Sequence, residues 1–138
     1  MTKKLNETVG SVEYDELINS GTPKADVFGV TIKALDEETV LKRGTVLAIS
    51  DADNKAVVLG TEAQDVGGAD SSGKETLTAN CILADDTPVG KTDTDAVAYR
   101  TGHFNRNKLI VAANYTLSSA DEEELRKRGI LLDTALNA

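Results

Sequence analysis

Apolar and polar positions alternate along several short stretches of this chain, with the period of strands rather than helices. Val27-Phe28-Gly29-Val30-Thr31-Ile32 predicts one strand, Thr45-Val46-Leu47-Ala48-Ile49 a second and Ala56-Val57-Val58-Leu59 a third. Asp51-Ala52-Asp53-Asn54, between the last two, supplies side chains that tolerate turn geometry, so these strands are expected to form a hairpin. Asp36 to Arg43 fits either one helical turn or a turn leading into a strand, and Gly44 marks a tight bend. Thr76 to Ala84 predicts another strand. Ala96 to Asn105 alternates small apolar with polar residues, the pattern of a half-buried strand, and Gly102 lets the backbone bend or bulge before Phe104 turns to the core. Lys108-Leu109-Ile110-Val111 continues the strand character, and Ile130-Leu131-Leu132 is an apolar triplet that must be buried.

One helix is well specified. Ser118 or Ser119 can cap it, each with an acid three residues on, Asp121 or Glu122. Acids fill its first turn and bases its last, which suits the helix dipole, and Gly129 stands where a left-handed residue ends a helix. Glu122–Arg126, Glu123–Lys127 and Glu124–Arg128 have the i,i+4 spacing of side-chain ion pairs. Its apolar face is thin, Ala120 and Leu125, so it is expected to lie on a surface.

Elsewhere the pattern fails. Residues 1–24 fit neither period over a useful length, and a helical attempt from Val12 to Ile18 runs into Ser20-Gly21-Thr22-Pro23. They read as a flexible N-terminal arm preceding a single β-rich domain over residues 25–138. Thr61 to Lys74 and Asp85 to Asp95 read as turn-rich surface loops. The expected class is mainly β (α+β), with one short C-terminal surface helix.

Composition narrows the function. A chain of 138 residues buries roughly two-thirds of its unfolded surface, enough for a real core. That core is built of Val, Leu, Ile and Ala, because the chain has no Trp, 2 Phe and 3 Tyr. Fifteen Lys and Arg against 23 Asp and Glu give a net charge of −8, which opposes direct binding of nucleic acid. A single cysteine, Cys81, allows neither an intramolecular disulfide nor a cysteine-based zinc site. No apolar run reaches the roughly 18 residues of a membrane span, and the first residues lack the apolar segment of a secretion signal. Synthesis and assembly in a reducing compartment are expected.

Candidate chemistry is sparse. Gly68-Ala69-Asp70-Ser71-Ser72-Gly73-Lys74 has the spacing of a phosphate loop, but Glu75 stands where a magnesium-binding hydroxyl belongs and a strand follows where a helix is needed. Asp51-Ala52-Asp53-Asn54 resembles the start of a calcium loop without its glycine or its final glutamate. Asp85, Asp86, Asp93 and Asp95 could flank a sugar or a metal, and they keep open the alternative of a small carbohydrate-binding or hydrolytic β domain. His103, the single histidine, would need a nucleophile such as Cys81 and an orienting acid for hydrolysis. Nothing near Cys81 suggests an activated thiol. No catalytic residue, cofactor or metal ligand is assigned.

Three collinear motifs carry a resemblance: Leu41-Lys42-Arg43-Gly44-Thr45-Val46-Leu47, then Ala79-Asn80-Cys81-Ile82-Leu83-Ala84-Asp85-Asp86, then Val97-Ala98-Tyr99-Arg100-Thr101-Gly102-His103-Phe104-Asn105. In this order they resemble the lambda-type phage head decoration proteins. Leu17 to Pro23 and Leu125-Arg126-Lys127-Arg128-Gly129-Ile130 resemble the opening and close of that family's bacterial-prophage branch. The chain departs from the pattern in its Gly- and Ser-rich loop at 67–73 and its lack of tryptophan. The resemblance implies a small mixed-β, β-tulip-like domain that acts as a capsid-stabilising structural protein rather than an enzyme. It further implies a homotrimer seated outside the expanded icosahedral shell at local three-fold positions, bracing it against internal DNA pressure. The major capsid protein is the implied partner, contacted by the arm, with Tyr14, Leu17 and Ile18 as the expected apolar anchors. The implied location is the outer surface of the virion, after assembly in the host cytoplasm.

Overall fold

One strand is shared by everything else in this fold. The computed structural model describes residues 17–63 and 75–133. In chain order its elements are β1 (Ile18–Ser20), β2 (Asp26–Ile32), β3 (Thr39–Leu41), β4 (Val46–Ser50), β5 (Ala56–Val58), β6 (Leu77–Leu83), β7 (Thr87–Val89), β8 (Thr94–Asn105), a 3-10 turn at Arg106–Lys108, α1 (Ser119–Lys127) and β9 (Ile130–Asp133). The first half of β8 pairs antiparallel with β2 on one edge and with β6 on the other. From β6 the ladder continues through β4 to β5, and β5 returns to β2 in parallel at Ile32↔Ala56. The strands β8, β2, β5, β4 and β6 therefore close a small barrel. The second half of β8 leaves this ring and takes β1 and β9 as its neighbours.

The alternation of side chains explains the two clusters of buried residues. Ile32, Leu47, Ala56, Cys81, Leu83, Ala96 and Ala98 point into the barrel, where small residues let closely spaced walls meet. From the outer face of the same β4–β6 wall, Val46, Ala48, Ala79 and Ile82 pack against α1 and the second sheet through Leu17, Phe104, Leu125 and Ile130. β4 is thus covered on both faces, which is why its sequence is continuously apolar rather than alternating. β3 and β7 form a separate two-stranded ribbon, with Val40 directly opposite Pro88.

β8 needs an irregularity to serve both sheets. Its register against β2 slips between Asp26↔Thr101 and Val27↔Tyr99, leaving Arg100 as an extra residue. The Arg100 guanidinium turns back to donate to the Asp26 carboxylate at 2.8 Å, and holds that carboxyl below its ordinary range. Two residues later Gly102 has φ +148, and a Cβ there would sit 2.6 Å from the Phe104 ring. The missing side chain lets Phe104 fold back under its own strand into full burial. The expected bend at Gly102 is present.

The predicted strands and the β4–β5 hairpin are found with ends shifted by one or two residues. So is the helix, whose cap is Ser118: its hydroxyl accepts from the Asp121 N–H at 3.1 Å while Asp121 reaches back to the Ser118 N–H at 3.0 Å. Tyr115 adds its hydroxyl to the same carboxylate. Of the expected i,i+4 ion pairs, Glu124–Arg128 forms at 3.7 Å. Glu123 instead takes Arg126 and Glu124 also takes Lys127, both at i,i+3, and Glu122 turns off the helix to Arg106. Residues 85–95, expected as a loop, contain β7, and residues 106–111 form a turn with a single bridge, Ile110↔Thr45, in place of a strand. Residues 17–24, placed in the expected arm, belong to the second sheet and its connection to β2.

The barrel's seam is electrostatic as well as backbone-bonded. β2 and β5 share one register pair, reinforced by Lys33 N–H donating to the Ala56 carbonyl at 2.9 Å. Across the gap Lys55 meets Asp93 at 2.6 Å, and Asp93 also accepts the Ala34 N–H at 2.9 Å. The Lys55 ammonium, then the Ala34 N–H, lower the Asp93 pKa from 3.8.

Replacing Gly102 with alanine is expected to destabilise the chain by about 2 kcal/mol, since the new methyl must displace a fully buried ring at a backbone angle that side chains resist; denaturant unfolding measures it. A depressed carboxylate contributes stability above its unfolded pKa and loses it as pH falls through the folded value. The stability advantage of the native chain over Asp93→Asn should therefore be fully present at neutral pH and shrink below about pH 3.8, read from melts across the acid range.

Candidate docking surface

The strands around the end of β8 fix where the described chain begins and ends. The Leu17 carbonyl accepts the Asn105 N–H at 2.8 Å, so the chain enters the fold beside the last residue of β8. On the other edge of β8, Asn105 stands opposite Asp133, where the described chain ends. β1 and β9 thus flank one end of β8, about 10 Å apart across it. The segments before Leu17 and after Asp133 start from that same end.

Side chains fix this frame. The Arg106 guanidinium donates to both oxygens of Glu122 at 2.9 and 2.8 Å and to the Leu132 carbonyl at 3.1 Å, tying β9 to α1 and the 3-10 turn. Its pKa is raised, chiefly by the hydrogen bond to Glu122. His103 Nε2 lies 2.8 Å from the Asp133 carboxylate, closing the far end of β9 against β8. Arg106 carried no motif in the sequence; its role comes from a 16-residue separation to Glu122 that only the fold closes.

Of the expected anchors, Leu17 is 2% exposed and lies in the chain's own core. Its methyls lie beside Gly44, where a Cβ would be 3.5 and 3.9 Å from them. Ile18 is partly buried on the same cluster, opposite Phe104. Tyr14 lies outside the described residues. The structure therefore joins Leu17 and Ile18 in one strand, with Leu17 turned inward. Exposed large apolar side chains among the described residues are Val27, Val97, Val40 and Ile110. Val27 and Val97 share the outer face of the β2–β8 ladder, with Gly29 between them opposite Val97.

The residues considered for chemistry have structural occupations. Cys81 is fully buried in the barrel, and burial pushes its thiol up to about 12, with Arg128 opposing the shift. The thiol is not joined to His103, whose imidazole faces Asp133. Asp51 accepts the Thr76 N–H, Asp86 the Arg43 N–H, Asp93 the Ala34 N–H and Asp95 the Thr31 hydroxyl. Asp53 caps its own turn through the Lys55 N–H at 3.0 Å. Among the described residues no three His, Cys, Asp or Glu side chains group to hold a metal ion. Among them, too, no helix is long and apolar enough to cross a membrane. The glycine-rich stretch at 67–73 lies outside the described residues, while Glu75 beyond it is buried and accepts the Ser50 hydroxyl at 2.6 Å.

A search of curated proteins found no match to this chain. The family model for bacteriophage lambda head decoration protein D matches residues 7–130, spanning the segment before β1, β1 to β8, α1 and the first residue of β9. With so much of its 138 residues covered, and with a mainly-β fold of the expected class, the chain belongs to the bacteriophage lambda head decoration protein family.

Proposed function

We propose that this chain is a cementing protein that binds as trimers to the outside of the expanded phage head, at local three-fold sites, and braces it against the pressure of packaged DNA. The family match over residues 7–130 carries this reading. The geometry supports it in one respect: the described chain begins at Leu17 and ends at Asp133, on either side of the same end of β8.

Adhesion of this kind works by linkage. A protein that binds the expanded shell and neither its precursor nor the free subunit lowers the free energy of the expanded state by mass action. Three linked copies raise the effective concentration of each contact, so that modest affinity per chain suffices. In this proposal residues 1–16 make the contact with the major capsid protein by adding an extended segment to an exposed edge, with Tyr14 as apolar anchor. Ile18 forms the inner end of that contact, and the buried Leu17 sets where the segment departs. The net charge of −8 suits a protein that sits outside the shell and does not bind the DNA within it. No bond is made or broken in any substrate, and no membrane or cofactor takes part.

Two truncations separate contact from folding. Removing residues 1–16 should abolish co-sedimentation with expanded heads while leaving the melting temperature and oligomeric mass unchanged; full binding by this shortened chain would refute the arm's role. Removing residues 1–24 should in addition cost about 2–5 kcal/mol of stability, because the core then loses Leu17 and β8 loses β1.

A further inference from the structure

The barrel is joined unevenly around its ring. β2 is paired with β8 along its whole length, from Asp26 to Ile32, and β4 is paired continuously with both β5 and β6. β2 and β5 meet at one pair, Ile32↔Ala56, with the Lys33 N–H bonded to the Ala56 carbonyl beside it. The cause is directional. β5 runs parallel to β2 and starts level with the last residue of β2, so the two strands overlap at their tips instead of along their sides.

Grooves flank this pair above and below. One, of about 580 Å³, separates Phe28 to Thr31 of β2 from Ile49, Asn54 and Asn80 on the facing wall. The other, of about 470 Å³, separates Lys33 to Asp36 from Val57, Val58 and Thr61. Between the grooves stand the buried side chains of Ile32 and Ala56. Two further links across the gap are ionic, Lys55–Asp93 at 2.6 Å and Lys33–Asp53 at 3.7 Å. Their side chains are 31–37% exposed; pairs in such positions hold weakly and are screened by salt.

The join on the far side of the ring, β6 to β8, is also short, but it is buttressed. The Ala84 N–H donates to the Val97 carbonyl, and the Arg43 guanidinium donates to the Ala84 carbonyl and the Tyr99 hydroxyl. The outer face of that wall is covered by Phe104, Leu125 and Ile130. Nothing comparable is packed over Ile32 and Ala56 among the described residues, which is why grooves reach them from both directions.

From this contrast we infer that the β2–β5 join is a gate: it opens while the rest of the fold stays intact, merges the two grooves into one slot and uncovers the interior of the barrel. Local opening follows the joins held by the fewest buried contacts. Here it moves β5 and the β4–β5 turn away from β2 and leaves β8 with both of its neighbours. A barrel built this way yields at one seam without loosening the strand that carries the second sheet. The inference concerns the barrel alone and is independent of the shell-binding reading.

Cys81 reports on the gate. It is the single cysteine, it belongs to the barrel's inner cluster and it is fully buried, so a thiol reagent reaches it only when a wall parts. The full chain, treated with excess dithiodipyridine at neutral pH and followed by absorbance, should react at a rate nearly independent of urea below the unfolding transition, because a local opening exposes little surface. Asp93→Asn and Lys55→Met should each raise that rate about threefold. Gly102→Ala, which acts in the other sheet and favours global unfolding roughly thirtyfold, should leave it unchanged. A rate that climbs with urea along the global unfolding slope, that Gly102→Ala also raises, or that the two seam variants leave at the native value would overturn the gate. The urea series needs no substitution, so it decides the matter even where a variant fails to fold.

Discussion

The constraint on which this structure depends is that a single strand, β8, must belong to two sheets. Its first half needs small inward residues, because the barrel it lines is narrow; Ala96 and Ala98 meet that need. Its second half needs one large buried group, because the second sheet has few residues with which to fill the space above α1; Phe104 meets that one. Between them the strand must change course without losing hydrogen bonds. The extra residue at Arg100 and the bare backbone at Gly102 do this within three positions. Tyr99 sits at the junction, its ring 5.2 Å from that of Phe104 and its hydroxyl held by Arg43. The three aromatic or glycine positions of this segment act as one hinge between sheets, frozen by packing.

Much of this was legible in the sequence where the cause was local. The β4–β5 hairpin follows from Asp51 to Asn54, in which Asp53 caps the turn through the Lys55 N–H and Asn54 takes φ +60. The helix cap follows from Ser118 and Asp121 three residues apart, and the bend at Gly102 from a glycine before an aromatic. What was not legible depended on distant partners. β7 is three residues long, contains Pro88, and exists as a strand because β3 lies against it. β1 is no more apolar than the segment around it; Leu17 becomes core because Phe104, Leu125 and Ile130, far along the chain, join it in one buried cluster. Glu122 abandons its helical neighbour because the 3-10 turn brings Arg106, which can offer two parallel hydrogen bonds, within reach.

The candidate chemistry in the loops has the same lesson from the other direction. Aspartates clustered in loops suggest a site when read in sequence, because a metal or sugar would use such groups. In the fold three of them are spent on a nearby backbone N–H, a hydroxyl or a lysine: Asp86 on Arg43, Asp93 on Ala34 and Lys55, Asp95 on Thr31. A barrel of short strands joined by long connections leaves many backbone groups unpaired at its ends, and short carboxylates are the cheapest acceptors for them. The acidic composition is therefore partly a consequence of the architecture, with no need for a ligand to explain it.

For a head decoration protein acting by adhesion as proposed, rigidity and edges are in tension. A body that clamps a shell must not deform, which calls for strands paired on both sides; a body that recruits partners by strand addition must leave some sides open. Here the two demands are separated along β8. Its first half is bounded by β2 and β6 and buried on its inner face, so the barrel is closed where stiffness matters. Its second half takes β1 and β9, each paired with β8 alone among the described strands, and the described chain begins at Leu17 and ends at Asp133 beside that end. These two strands are short, three and four residues, and α1 and the Arg106 guanidinium already cover part of β9, which limits promiscuous pairing by the free subunit. Short edges bind weakly alone and firmly only when several are engaged at once, a condition that the proposed assembly of repeated copies on a shell supplies.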